Sequence, residues 1–115
     1  MKRIRVVFSP EAEEVYEYLN KKAPESKAER TILNALNKKI ELIKDNFHYG
    51  DPISKKLIPE EYKVKYGISN LFRVELPNFW RVLYTLTDGE IEIIAFVLDV
   101  INHKDYDKKF GYRKR

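Results

Sequence analysis

Three strand-like runs follow one another late in this chain, Leu71–Leu76, Phe79–Leu86 and Ile91–Leu98, with only Pro77-Asn78 and Asp88-Gly89 to punctuate them. Connections this short leave no room for a crossover, so the runs are expected to pair as an antiparallel meander. Asp-Gly is a preferred two-residue hairpin turn. If it closes with Thr87 opposite Glu90, then Leu86 faces Ile91, Tyr84 faces Ile93, Val82 faces Ala95 and Trp80 faces Val97. Each of these side chains is apolar or aromatic, so that sheet face needs a cover. The opposite face carries Phe79, Arg81, Leu83 and Thr85 beside Glu92, Ile94, Phe96 and Leu98, and is expected to stay open. A three-residue first loop pairing Glu75 with Phe79 places Arg73 next to Arg81 on that open face. A one-residue slip would turn Arg73 into the core, where an arginine is rarely found.

The N-terminal half supplies the cover. Arg3–Phe8 alternates basic and apolar residues before becoming wholly apolar, as a strand does. Ser9 then sits at an N-cap with Pro10 at the first helical position and Glu11, Glu13 and Glu14 in the opening turns. The helix this predicts runs to about Lys22, with Ala12, Val15, Tyr16 and Leu19 on one stripe, and Ala23-Pro24 ends it. Ser26 and Glu29 form a capping box that opens a second helix along Ile32, Leu33, Leu36, Ile40 and Ile43. The two should make an antiparallel hairpin. Between Phe47 and Asn70 the pattern gives way to turn and polar residues with isolated anchors at Ile53, Leu57, Ile58 and Ile68. The expected class is α+β, in the order β-α-α-β-β-β, closed by a short helix from about His103 to Lys109.

With 115 residues and 43% hydrophobic content the chain suits one core, so residues 1–115 are read as a single domain. Cysteine is absent and histidine is limited to His48 and His103, which leaves no thiolate site and makes zinc improbable; no cofactor is expected. No apolar run approaches the roughly 20 residues of a membrane span, and the start of the chain lacks a signal-peptide core, so the expected compartment is the cytoplasm. The formal charge of +4 lies wholly in Asn102–Arg115, which holds six Lys/Arg against two Asp. A balanced body with one basic segment is how a localised anion-binding face reads, and His103, Tyr106 and Tyr112 lie inside that segment.

The element order, together with Trp80-Arg81-Val82-Leu83-Tyr84, Asn70–Leu76 and the run Ile94–Val100 closing on His103 and Tyr106, resembles the RelE/ParE superfamily of toxins from type II toxin–antitoxin modules. The resemblance covers nearly the whole chain. In the ribonuclease branch of that family the toxin enters the ribosomal A site and cuts mRNA, and Arg81 matches the family's strand arginine. Arg73 matches a position often held by a cation, whereas Glu75 stands where some members carry a second one. His103 and Tyr106 fall in the C-terminal catalytic region. The resemblance further implies a small cognate antitoxin, and ribosome and mRNA as targets.

Cutting RNA without a metal requires deprotonating a 2′-hydroxyl, stabilising a crowded phosphorane and protonating the leaving 5′-oxygen. The candidate catalytic residues are Arg81, His103, Arg73 and Tyr106. The guanidinium groups suit phosphate oxygens, an imidazole titrates near neutrality, and Tyr106, three residues beyond His103, would share its helix face and stack on a base or donate its hydroxyl. Candidate substrate contacts are Lys55, Lys56, Lys63 and Lys65 in the loop and Lys104, Lys108 and Arg113 in the basic segment. Other readings stay open at each position. Arg81 could pair with Glu92 or Glu75, Tyr106 and Phe110 could cover the core, and His103 could be a surface residue at a helix start. For the whole chain, ribosome-dependent endoribonuclease stands beside a ParE-like inhibitor of DNA gyrase and a noncatalytic RNA- or antitoxin-binding relative.

Overall fold

A computed structural model describes residues 2–89 and 91–111. Strand β1 (Arg3–Phe8) runs straight into helix α1 (Pro10–Lys22), and Ser9 makes the corner. Its buried hydroxyl accepts from the Ala12 amide at 3.0 Å, capping the helix, and donates to the Leu98 carbonyl at 2.6 Å. Helix α2 (Lys27–Asp45) opens on Ser26, whose hydroxyl caps the Glu29 amide and also meets the Glu29 carboxylate. Tyr16 donates to Asn37 and Tyr18 to Glu29, an inverse order of partners that makes the helix pair antiparallel.

The sheet has five strands in the order β1-β5-β4-β3-β2, from β2 (Asp51–Pro52), β3 (Phe72–Glu75), β4 (Arg81–Asp88) and β5 (Glu92–Ile101). β1 joins parallel to β5, and the other pairings are antiparallel. On the first face Val74, Val82, Tyr84, Ala95, Val97 and Val100 pack against Ala12, Leu19, Ile32, Leu33, Leu36 and Ile43 of the helix pair, as the alternation predicted.

The hairpin registers differ from the turn-based expectation. Asp88-Gly89 does not close a two-residue turn: the Gly89 amide bonds the Glu92 carbonyl at 2.9 Å, and Asp88 pairs with Ile93, Leu86 with Ala95 and Tyr84 with Val97. Each partner lies four residues further along β5 than the sequence suggested. β5 is squeezed between β1 and β4, so burial of its middle decides the register; each buried aliphatic side chain is worth about 1.5–3 kcal/mol, more than a turn preference. Ile91 is left 83% exposed at the tip. The first hairpin has moved by two: Glu75 faces Arg81 and Arg73 faces Leu83, across a 3₁₀ turn at Pro77–Phe79 with Asn78 and Phe79 at φ of 59° and 63°. Phe79 therefore belongs to the turn and not to the strand. The first shift, and the second as far as Tyr84, are even and leave every side chain on its expected face; beyond Tyr84 the offset along β5 becomes odd, with Val82 meeting Val100 rather than Ala95.

The second face is not open, and this corrects the expectation of a bare sheet. Leu83, Phe96, Leu98 and Ile101 would expose a continuous apolar surface, and the segment after β2 folds over it. Ile58, Tyr62 and Leu71 join them, with Ile53, Tyr66 and Ile68 at the border. Helix α3 (Glu60–Tyr66) follows a 3₁₀ turn at Lys55–Leu57, and helix α4 (His103–Phe110) brings Tyr106 into the same cluster. A β-bulge between Leu83 and Tyr84, opposite Leu98, lets both Leu98 and Asp99 serve this face. No helix among the described residues is long and apolar enough to cross a membrane.

Candidate functional site

At the end of the sheet where β3 turns into β4, three elements deliver charged and aromatic groups to one spot. β3 contributes Arg73 and Glu75 two residues apart, hence on one face; β4 starts on Arg81, directly across from Glu75. The Glu75 carboxylate Oε2 lies 3.6 Å from Nε of Arg73 and 3.6 Å from Nε of Arg81. α4 supplies the floor. Its N-cap Asn102 accepts from the Asp105 amide at 2.8 Å, which sets the helix so that Tyr106 points at the sheet. Arg73 Nη1 donates to the Tyr106 hydroxyl at 3.0 Å, a bond that outweighs the cost of burial and raises the guanidinium pKa beyond its ordinary value. The Arg81 guanidinium sits over the Tyr106 ring, 4.5 Å from its centroid, and Arg81 Nη1 donates to the Phe79 carbonyl at 3.1 Å. Phe79, 69% exposed, meets the His103 ring edge-on at 5.8 Å. His103 Nδ1 lies 3.5 Å from the Asp107 carboxylate one turn on.

The sequence-predicted residues Arg73, Arg81 and Tyr106 thus form one contact cluster, and His103 joins its rim through Phe79. Tyr106 does not share a face with His103. His103 is exposed, whereas the Tyr106 ring is buried and stacks on Phe110 with centroids 4.3 Å apart, so it has no surface to offer a base. Its hydroxyl acts on Arg73 instead. Lys104 and Lys108 are exposed on α4, and Lys108 lines a cavity of about 470 Å³ with Glu61, Ile101, Asp105 and Lys109. Lys55, Lys56 and Lys63 are exposed on the 3₁₀ turn and α3, and none enters the hydrogen bonds or ion pairs of the arginine cluster. Lys65 is committed elsewhere, bonded to Glu11 at the start of α1. Arg113, like Tyr112, Lys114 and Arg115, lies outside the described residues.

Three contributors escaped the sequence reading. Lys39 of α2 borders Arg73 and Glu75 in a recess of about 270 Å³ that Tyr49 and Asp51 also line. Asp99 and Lys109 fasten α4. The Tyr62 hydroxyl donates to Asp99 at 2.5 Å, Lys109 Nζ lies 3.3 Å from the same carboxylate oxygen and 2.6 Å from Glu61, and the ammonium rests over the Tyr62 ring at 5.0 Å. Burial opposes the charge of Lys109, and the two carboxylates overcome it, holding its pKa above the usual lysine value. Burial and the Asp99 charge push the Tyr62 phenol far upward, so it stays a hydrogen-bond donor. The signal for Asp99 was visible: it is the one acid inside Ile93–Ile101.

The fold is thus a helical hairpin on one face of a mainly antiparallel five-stranded sheet, with Arg73, Arg81 and the C-terminal helix meeting at one end. No family model matches the chain, and no curated protein matches it in sequence. Among solved structures, the fold is shared with a YoeB/ParE toxin from Agrobacterium tumefaciens, at a TM-score of 0.58 over 86% of this chain and 98% of that one, with 13% sequence identity.

Proposed function

We propose that this protein is the toxin of a type II toxin–antitoxin pair and that it cuts mRNA on the ribosome by metal-independent acid–base chemistry. The observation that supports this best is the convergence of two guanidinium groups on one buried tyrosine, with an exposed imidazole on the rim. In this reading Arg73 and Arg81 hold the nonbridging oxygens of the scissile phosphate, and their charge counts most once the ribosomal A site excludes water. His103 moves a proton at the 2′-hydroxyl or the 5′-oxygen, and Tyr106 positions the arginines. Lys104 and Lys108 attract the RNA backbone from α4, and Lys55, Lys56 and Lys63 from the 3₁₀ turn and α3, while Arg113 adds its charge to the basic C-terminal segment. The protein works in the cytoplasm, restrained by an antitoxin encoded beside it.

Inhibition of DNA gyrase without catalysis is the competing reading. It has one observation on its side: Glu75 already neutralises part of the arginine pair. Inducing the chain in cells with and without its neighbouring reading frame, while mapping mRNA ends and assaying gyrase supercoiling, separates the two. New transcript ends within coding frames, absent with Arg81→Ala or His103→Ala, are expected. Intact transcripts together with arrested supercoiling would overturn the ribonuclease reading.

A further inference from the structure

Arg73 and Arg81 each leave a donor unused in the same place. Their Nη groups are directed at Tyr106 and at the Phe79 carbonyl, but the two Nε–H groups are buried and have no hydrogen-bond partner. Both instead lie 3.6 Å from one oxygen of Glu75. That distance is too long for a hydrogen bond, whose N···O separation is about 2.9 Å. The carboxylate therefore balances charge without satisfying either donor. A buried donor without a partner is costly, and a charged one more so, so this corner of the molecule favours any acceptor that reaches both. A tetrahedral anion does so readily, since two of its oxygens can each take one Nε–H at about 2.8 Å. Glu75 is also free to leave: its side chain is 56% exposed, against 34% for Arg73 and 17% for Arg81.

We infer that Glu75 is a resident competitor for an anion seat formed by the Arg73 and Arg81 Nε–H groups, and that it sets how tightly the site holds a phosphate. A phosphodiester entering the seat displaces the carboxylate toward solvent and takes over both donors. Removing the carboxylate opens the seat permanently. The inference rests on the ribonuclease reading for the identity of the anion as an RNA phosphate; the seat and its competitor rest on geometry alone.

The test is a titration of the ¹⁵N-labelled protein with inorganic phosphate at constant ionic strength, following the Arg73 and Arg81 Nε–Hε resonances. Glu75→Gln keeps the volume of an exposed side chain and should raise phosphate affinity about tenfold, with the shifts centred on those two resonances. A gain of threefold or more at these resonances supports the seat; a smaller gain, or shifts elsewhere, overturns it. Asp88→Asn removes the same charge at the far end of β4, and an equal gain there would reduce the effect to net charge and overturn the inference. Combining Glu75→Gln with Arg81→Ala should abolish the gain; its survival overturns the role of Arg81. Ribosomal mRNA cleavage is measured on the same proteins. Tighter phosphate binding with no cleavage by either protein would sink the ribonuclease reading and leave the seat standing, while cleavage with unchanged phosphate affinity would do the reverse.

Discussion

Arg81 is engaged in three directions at once: over the Tyr106 ring, at the Phe79 carbonyl and toward Glu75. A planar guanidinium can do this and an ammonium cannot, so Arg81→Lys should keep the charge and lose the geometry. Transcript cleavage is expected to fall by about 10²–10³, the usual size of losing a preorganised donor to a transition-state oxygen; cleavage within threefold of wild type would remove Arg81 from the phosphate contact. Tyr106→Phe keeps the ring and deletes the acceptor for Arg73, which should cost about 1 kcal/mol of stability in urea unfolding. Cleavage should fall about tenfold as Arg73 loses its anchor. The shared face of the two arginines was legible in the sequence because strand side chains repeat every two residues, and the two-residue shift between β3 and β4 could not separate them. Tyr106 was misplaced for the matching helical reason. Three residues of helix leave an offset of about 60° from a full turn, enough to put His103 in water and Tyr106 in the core.

At the scale of elements, the caps were the reliable text. Ser9 and Ser26 start α1 and α2 where the sequence put them, since a side chain bonding its own backbone needs no tertiary partner. What failed was whatever burial from outside decides: the registers, the bulge and α3. Asp99 shows the consequence, because the bulge that no local pattern announces turns it to the second face, where it holds Tyr62 and Lys109. Asp99→Ala leaves the Tyr62 hydroxyl and part of the Lys109 charge without a partner inside the protein. It should lower the unfolding free energy by about 3 kcal/mol, the low end for breaking a buried pair because Glu61 still serves Lys109. Urea denaturation measures this, and a loss under 0.5 kcal/mol would mean α4 is docked by its apolar side chains alone (about the floor for a meaningful core contact). Combining it with Lys109→Met should recover part of the loss, since the stranded ammonium goes with its partner.

For the whole molecule the question is what ties two layers together when a sheet separates them. Tyr66 docks α3 on Phe96 of the second face, yet its hydroxyl and the neighbouring Lys65 reach Glu11 in the first turn of α1, on the other layer. The helix ends reinforce the contact, with an acid at the positive end of α1 and a base near the negative end of α3. The bond from Lys65, then that from Tyr66, holds the Glu11 carboxyl down from 4.5 to about 2. A depressed acid stabilises the folded chain in full above its unfolded value and loses that contribution as protonation reaches the folded state. Glu11 should therefore add stability at every pH above 4.5, lose it progressively below, and contribute nothing once the pH has fallen under about 2. The pair is exposed, so added salt should shrink the effect. Thermal unfolding of wild type and Glu11→Gln across this range provides the measurement: wild type should melt higher at neutral pH, with the gap narrowing through the acid window and smaller throughout at high salt. A gap that stays constant with pH would show that Gln loses packing or hydrogen bonds rather than charge, and the tie between layers would then have to lie in the Tyr66 ring against Phe96.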